Sequence, residues 1–240
     1  FMDIIGHRGA KGEAPENTLS GFRYLMAMGI RQVEFDIHVS ADGQLIVIHD
    51  KTLERTTNGI GFIKDKTQAE LASLDACHTL FPQWPDNNGV PSLADVLTLL
   101  KDFDHLQLEV KTESAEDCMI VAEQLPALWQ AFGSRAVTTS FNIDYLRLMQ
   151  QTQPQIPRGL LVEEYFQGDI IALAQELGCT LIAPHHRLLS ADLVKQAHLS
   201  GMTVSTWTVD APERMLALRE MGIDSLITNV PTLALKTLAA

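Results

Sequence analysis

The sequence predicts an α/β protein: a closed parallel barrel of eight strands, each followed by helix, with one inserted segment after the second strand. Three observations carry this. Apolar, β-branched segments begin near Val137, Gly159, Thr180, Met202 and Ser225, about every 22 residues, and each is followed by a helix-like stretch. That alternation is the one expected of a parallel barrel. The first half supplies three more strands, Asp3–His7, Gln32–His38 and Leu106–Lys111, and completes the eight. The 240 residues and the 46% apolar share suit one large domain, 1–240, with a full core.

Taken in order, Asp3–His7 leads to a helix that begins near Pro15-Glu16-Asn17-Thr18 and ends by Gly29. After Gln32–His38, Asp42-Gly43 marks a hairpin turn, and Leu45–His49 is the returning strand. About 65 residues separate the second and third barrel strands, far more than an ordinary connection. Roughly 50–91 of these, polar and marked by Gly and Pro, read as an insertion capping the barrel mouth, with a short helix around Gln68–Leu74. Ser92 caps a helix to Lys101. Leu106–Lys111 precedes a helix from Ser114 to about Phe132, which Pro126 is expected to kink or divide. Later helices carry ordinary start and stop signals: Ile143, Leu146 and Met149 on one face, Ser190 before Leu193, and Pro212 opening a helix stopped by Gly222.

The net charge of −12, with no basic cluster, argues against a nucleic-acid partner. It leaves room for a small anionic substrate, because a local cation reverses the field inside a pocket. Cys77, Cys118 and Cys179 share no metal-type spacing and read as buried thiols in a reducing compartment. No apolar run approaches the roughly 20 residues that span a bilayer. The chain enters a strand at once, without leader-like features, so a cytoplasmic protein is expected; Phe1 before Met2 is expected to be an addition made for expression. A homo-oligomer stays open, since a barrel bottom or helix face can dimerise without a sequence signature.

Chemistry concentrates at strand ends. Glu34 and Asp36 are two apart on a strand and share a face. Like charges that close repel unless a cation lies between them. Glu109 on the next barrel strand offers a third oxygen ligand, and an all-carboxylate set favours one hard divalent cation, Mg²⁺ or Ca²⁺, over Zn²⁺. His7 and His49 end strands that flank this face and suit a proton acceptor and a proton donor; which is which stays open. Arg8 and Lys111 are cations fit for phosphate oxygens, or for salt bridges to the neighbouring acids. Trp207 ends the seventh strand and is expected to wall a substrate pocket. His38 and Asn17 stand near the site without an assigned role. His185-His186 are left unassigned, because adjacent strand residues point opposite ways.

In order along the chain come Gly6-His7-Arg8-Gly9, Pro15-Glu16-Asn17-Thr18, Glu34-Phe35-Asp36, Asp42-Gly43, His49-Asp50 with Leu53-Glu54-Arg55-Thr56-Thr57-Asn58-Gly59, Glu109-Val110-Lys111 and Trp207-Thr208-Val209. In this combination the chain resembles the glycerophosphodiester phosphodiesterase family, in particular its small cytosolic bacterial members. The resemblance implies a TIM barrel with a small subdomain inserted after His49. It implies hydrolysis of glycerophosphodiesters to sn-glycerol 3-phosphate and an alcohol. Glu34, Asp36 and Glu109 would bind the metal, His7 and His49 act as general acid and base, and Arg8 and Lys111 hold phosphate. Lys11-Gly12-Glu13-Ala14 is a mild departure at the rim.

Overall fold

In a computed structural model that describes residues 2–112 and 114–239, eight parallel strands close on themselves. Phe1, read above as an addition, lies outside the described residues. The elements in order are β1 Asp3–His7, α1 Leu19–Ala27, β2 Gln32–Val39, β3 Leu45–Val47, α2 Gln68–Ala72, α3 Leu93–Leu99, β4 His105–Val110, α4 Ala115–Trp129, β5 Ala136–Ser140, α5 Ile143–Thr152, β6 Arg158–Val162, α6 Ile170–Glu176, β7 Leu181–Pro184, α7 Ala191–Leu199, β8 Thr203–Thr206, α8 Pro212–Glu220, β9 Ser225–Thr228 and α9 Pro231–Leu238. The barrel runs β1-β2-β4-β5-β6-β7-β8-β9 and returns to β1, while β3 pairs antiparallel to β2 on one side. This is the TIM-barrel architecture.

The period-two alternation of β2 does the sorting. Val33, Phe35, Ile37 and Val39 face outward into the main core beneath the helices, where Phe22 of α1 meets Phe35 edge-on at 5.8 Å between ring centres. Glu34 and Asp36 therefore face the barrel interior. In β4 the same rule sends Leu106, Leu108 and Val110 outward, and Gln107 and Glu109 inward. Across the barrel the interior is apolar: Val137, Leu161, Leu181 and Ala183 pack together, with Phe141 and Trp207 resting on them. The inward surface is thus polar on one side and apolar on the other.

The segment after β3 builds a separate apolar cluster. Leu53, Ile63, Leu71 and Val90 pack on Ile46 and Ile48 of the hairpin. Thr67 caps α2 in a capping box with Glu70, and Asp42-Gly43 makes the expected turn, with Gly43 at φ +72°.

Pro126 neither ends nor divides its helix: α4 is continuous from Ala115 to Trp129. Proline removes the N–H that would reach the Ala122 carbonyl, four residues back. The Gln153 side-chain amide donates to that carbonyl instead, at 3.1 Å. The orphaned acceptor is satisfied from outside the helix, which removes part of the usual penalty.

Candidate active site

The loop after β1 is held by geometry only some residues accept. A side chain on Gly6 would strike the Gly9 carbonyl at 1.9 Å, and Gly9 itself sits at φ +91°. Between them Arg8 adopts φ +53°, a left-handed conformation that costs energy for a residue with a side chain. The turn aims Arg8 at the acids: its Nε lies 3.5 Å from Asp36 Oδ2, and its Nη1 donates to Glu16 Oε2 at 2.9 Å. Asn17, also left-handed at φ +53°, donates from Nδ2 to Asp36 Oδ2 at 3.1 Å.

Strand register places the acids together. His7 pairs with Glu34 between β1 and β2, and Asp36 pairs with Glu109 between β2 and β4. One carboxylate oxygen from each of Glu34, Asp36 and Glu109 lies within 4.8 Å of the other two, and all three residues are buried. Burial, then mutual repulsion, pushes Glu34 well above the usual carboxylate range and Glu109 up to about 7. Burial opposes ionisation of Asp36 too, but Arg8 and Lys111 outweigh it and hold that carboxyl low. Asp36 Oδ1 is buried without a hydrogen-bond partner. Three crowded carboxylates, one of them with an unpartnered oxygen, and no thiolate fit a hard divalent cation. Lys111 Nζ stands 2.6 Å from Glu109 Oε2.

The two imidazoles are oriented differently. His7 Nδ1 meets Asn229 Oδ1 at 2.6 Å; because that oxygen only accepts, Nδ1 carries the proton and Nε2, 3.9 Å from Glu34, presents its lone pair to the cavity. Burial, reinforced by Arg8, lowers its pKa to about 4. His49 Nδ1 instead meets the Asp50 carboxylate at 2.7 Å. Burial lowers His49 as well, while Asp36 and Asp50 pull it back up. His38, left open above, donates from Nε2 to the His49 carbonyl at 2.7 Å and so braces the backbone of that residue.

Several participants were not singled out from sequence. Glu16, which resembles an ordinary helix-start residue, is buried and binds both Arg8 and Arg55. Arg55, from the inserted segment, also grips Asp50 through Nε at 2.7 Å. Asn229 is fixed by Asp210, which accepts from its amide nitrogen Nδ2 and from its backbone N–H, both at 2.9 Å. His185 and His186 do not point apart: the chain leaves β7 at Pro184 into a turn, and their rings stack at 4.6 Å with His185 edge-on to Trp207. Strand alternation no longer applies there.

These groups open onto a cavity of 260 Å³ lined by His7, Arg8, Glu34, His49, Glu109 and Lys111 on one side and by Phe141, Leu161, Glu163 and Trp207 on the other. Trp207 is fixed by its indole N–H to the Ala183 carbonyl at 2.8 Å. A second cavity, 660 Å³, adjoins across His49 and Lys111 and reaches Lys51, Phe62 and Lys64 of the inserted segment.

Residues 7–233 match the Glycerophosphoryl diester phosphodiesterase family. A glycerophosphodiester phosphodiesterase of Caldanaerobacter subterraneus is 32% identical over 233 residues, 95% of this chain and 94% of that one. Among solved structures, an Oleispira antarctica phosphodiesterase in complex with the product sn-glycerol-3-phosphate superposes with a TM-score of 0.85 at 26% identity, covering 99% of this chain and 97% of that one. A glycerophosphodiester phosphodiesterase from Parabacteroides distasonis gives 0.82 at 26% identity, covering 99% and 97%. With its barrel, its buried acids and its match over nearly the whole length, this chain belongs to the glycerophosphoryl diester phosphodiesterase family and is an enzyme of that hydrolase class.

Proposed function

We propose that the protein hydrolyses glycerophosphodiesters, the deacylated phospholipids, to sn-glycerol 3-phosphate and an alcohol. The observation that carries this is the convergence of Glu34, Asp36 and Glu109 within 4.8 Å beside two imidazoles whose Nδ1 atoms are tied back. The product complex of the Oleispira relative supports it. The three carboxylates would hold one Mg²⁺ or Ca²⁺ ion, which when bound neutralises phosphate charge and lowers the pKa of a bound hydroxyl. Arg8 and Lys111 bind the non-bridging phosphate oxygens and stabilise the charge that gathers there.

His7 is the proton acceptor. Its partner is a neutral amide and its burial holds it unprotonated, so Nε2 can take the proton of the attacking hydroxyl, whether of water or of the glycerol C2. His49 is the donor. Its carboxylate partner favours the imidazolium, and Nε2 delivers a proton to the departing alkoxide as the P–O bond breaks. The whole of 1–240 acts as one catalytic domain, with roughly 50–91 as a cap on the mouth. Three free, buried cysteines suit a reducing cytoplasm, and none of the described helices is long and apolar enough to cross a membrane.

The test is glycerol-phosphate release from a panel of diesters, with and without chelator. EDTA should abolish release, and Mg²⁺ or Ca²⁺ should restore it. His7→Ala and His49→Ala should each lower kcat by roughly 10²–10⁴-fold with metal binding retained. Near-normal turnover in the double histidine variant removes the acid–base assignment.

A further inference from the structure

The cavity has two walls of opposite character. The wall from β1, β2 and β4 carries Arg8, Lys111 and the acids that would hold a divalent cation. The wall from β5 to β9 carries a single ionisable side chain, Glu163, which follows β6 and stands at the exposed rim. Its backbone carbonyl accepts from Phe166, but no cation pairs its carboxylate among the described residues, although Arg187 satisfies neighbouring Glu164 at 2.9 Å. Beside it stand Phe141 and Trp207, edge to face with ring centres 5.6 Å apart. A further hollow of 400 Å³ shares Phe141, Leu161 and Glu163 and adds Tyr165 and Phe166.

Two buried polar atoms bear on which end of a diester points where. Gln107, paired with Glu34 in the strand register, and Thr139, paired with Glu109, line the same cavity fully buried, and Gln107 Oε1 and Thr139 Oγ1 have no hydrogen-bond partners. Buried polar atoms of this kind match the hydroxyls of a glycerol end. With glycerol against these buried atoms and phosphate at Arg8 and Lys111, the second ester substituent projects toward the exposed Glu163 rim. There it meets one free carboxylate and aromatic faces. That set suits a cation, through charge pairing and the negative face of the rings.

We propose that Glu163, Phe141 and Trp207 form a headgroup subsite selective for cationic alcohols, above all a quaternary ammonium of the choline type. This rests on the glycerophosphodiesterase reading and names the substrate class within it. The adjoining 660 Å³ cavity is of mixed charge, lined by Lys51, Lys64 and Lys111 and by Asp50 and Asp117, and so offers an ammonium no comparable unopposed carboxylate.

Steady-state kinetics on glycerophosphocholine, glycerophosphoethanolamine and glycerophosphoglycerol decide it. The choline diester should exceed the neutral diester in kcat/KM by roughly two- to fivefold, the scale of a solvent-exposed cation contact, with the difference mainly in KM. In Glu163→Gln that ratio should fall toward one, and free choline should lose its competitive inhibition. Phe141→Leu, which keeps the charge, should lower the choline-to-ethanolamine ratio and serves as a second, independent variant if Glu163→Gln folds poorly. Equal kcat/KM for all three diesters, a preference for the neutral one, or ratios unmoved in both variants overturns this inference and leaves the hydrolase reading standing. Absence of glycerol phosphate from every diester overturns both.

Discussion

Glu34, Asp36 and Glu109 share one chemistry, yet their surroundings drive them apart. Asp36 has Arg8 and Asn17 against one oxygen and stays ionised; Glu34 and Glu109 answer mostly to burial and to the charge of Asp36. Without a metal, the folded chain holds protons on these two glutamates that the unfolded chain releases near pH 4.5. Where the native state binds more protons than the unfolded state, stability falls as pH rises. The window runs from the unfolded value to the folded one, about 7 for Glu109. Relative to a Glu109→Gln variant, the chelated protein should therefore lose Tm between pH 5 and 7.5, by roughly 2–4 °C for each kcal/mol lost. Mg²⁺ or Ca²⁺ should recover more at pH 7.5 than at pH 5. Glu109→Gln should flatten the slope. The buried His7 and His49, whose pKa values are lowered, push Tm the other way up to about pH 6.5, so the comparison with Glu109→Gln is the diagnostic one: identical Tm slopes in the two proteins mean the acids are not crowded as described. Of the site, these residues were the most legible in sequence, because a two-residue spacing on an apolar strand fixes their common face.

The segment between β3 and α3 reaches the candidate site through Arg55. Arg55 joins Asp50, which holds His49, to Glu16, which holds Arg8. Its guanidinium spans both carboxylates: Nη1 donates to Glu16 Oε1 at 2.7 Å while Nε donates to Asp50 Oδ2 at 2.7 Å. A planar fork can bridge two carboxylates this way, and an ammonium cannot. The helix start at Glu16 reads from sequence as a cap, and the cap is real, made by Thr18 to the Gly21 N–H; nothing local signals that Glu16 turns toward the site instead. Supporting groups around catalytic residues commonly carry 10–100-fold effects. Arg55→Met should lower kcat by roughly that factor with little change in KM or metal affinity, and Arg55→Lys should recover only part of it. The acid–base readout is the alkaline limb of the kcat profile, which reports the donor. Losing Arg55 leaves Asp50 more basic toward His49, so that limb should move to higher pH. A purely structural role would lower Tm and leave the limb in place.

Barrel closure is what the linear sequence carries least visibly. The strand count and order follow from spacing, because each strand–helix unit repeats its own punctuation. The lateral contacts do not, because β1 and β9 meet only when the sheet closes. That closure delivers Asn229 to His7 across 222 positions, with Asp210 behind it, and no local pattern around Asn229 announces a catalytic partner. Its amide fixes which nitrogen of His7 keeps the proton, so the lone pair on Nε2 faces the cavity. Asn229→Leu keeps the volume and removes the acceptor. It should lower kcat by about 10–100-fold while the three carboxylates bind metal as before. The pH profile distinguishes orientation from simple damage. The Asn229 carbonyl favours the protonated ring, so its loss lowers the His7 pKa further. The acid limb of kcat/KM, which reports the base in the free enzyme, should stay or move to lower pH. A move to higher pH in this variant would show that His7 is not the proton acceptor and that the role passes to His49.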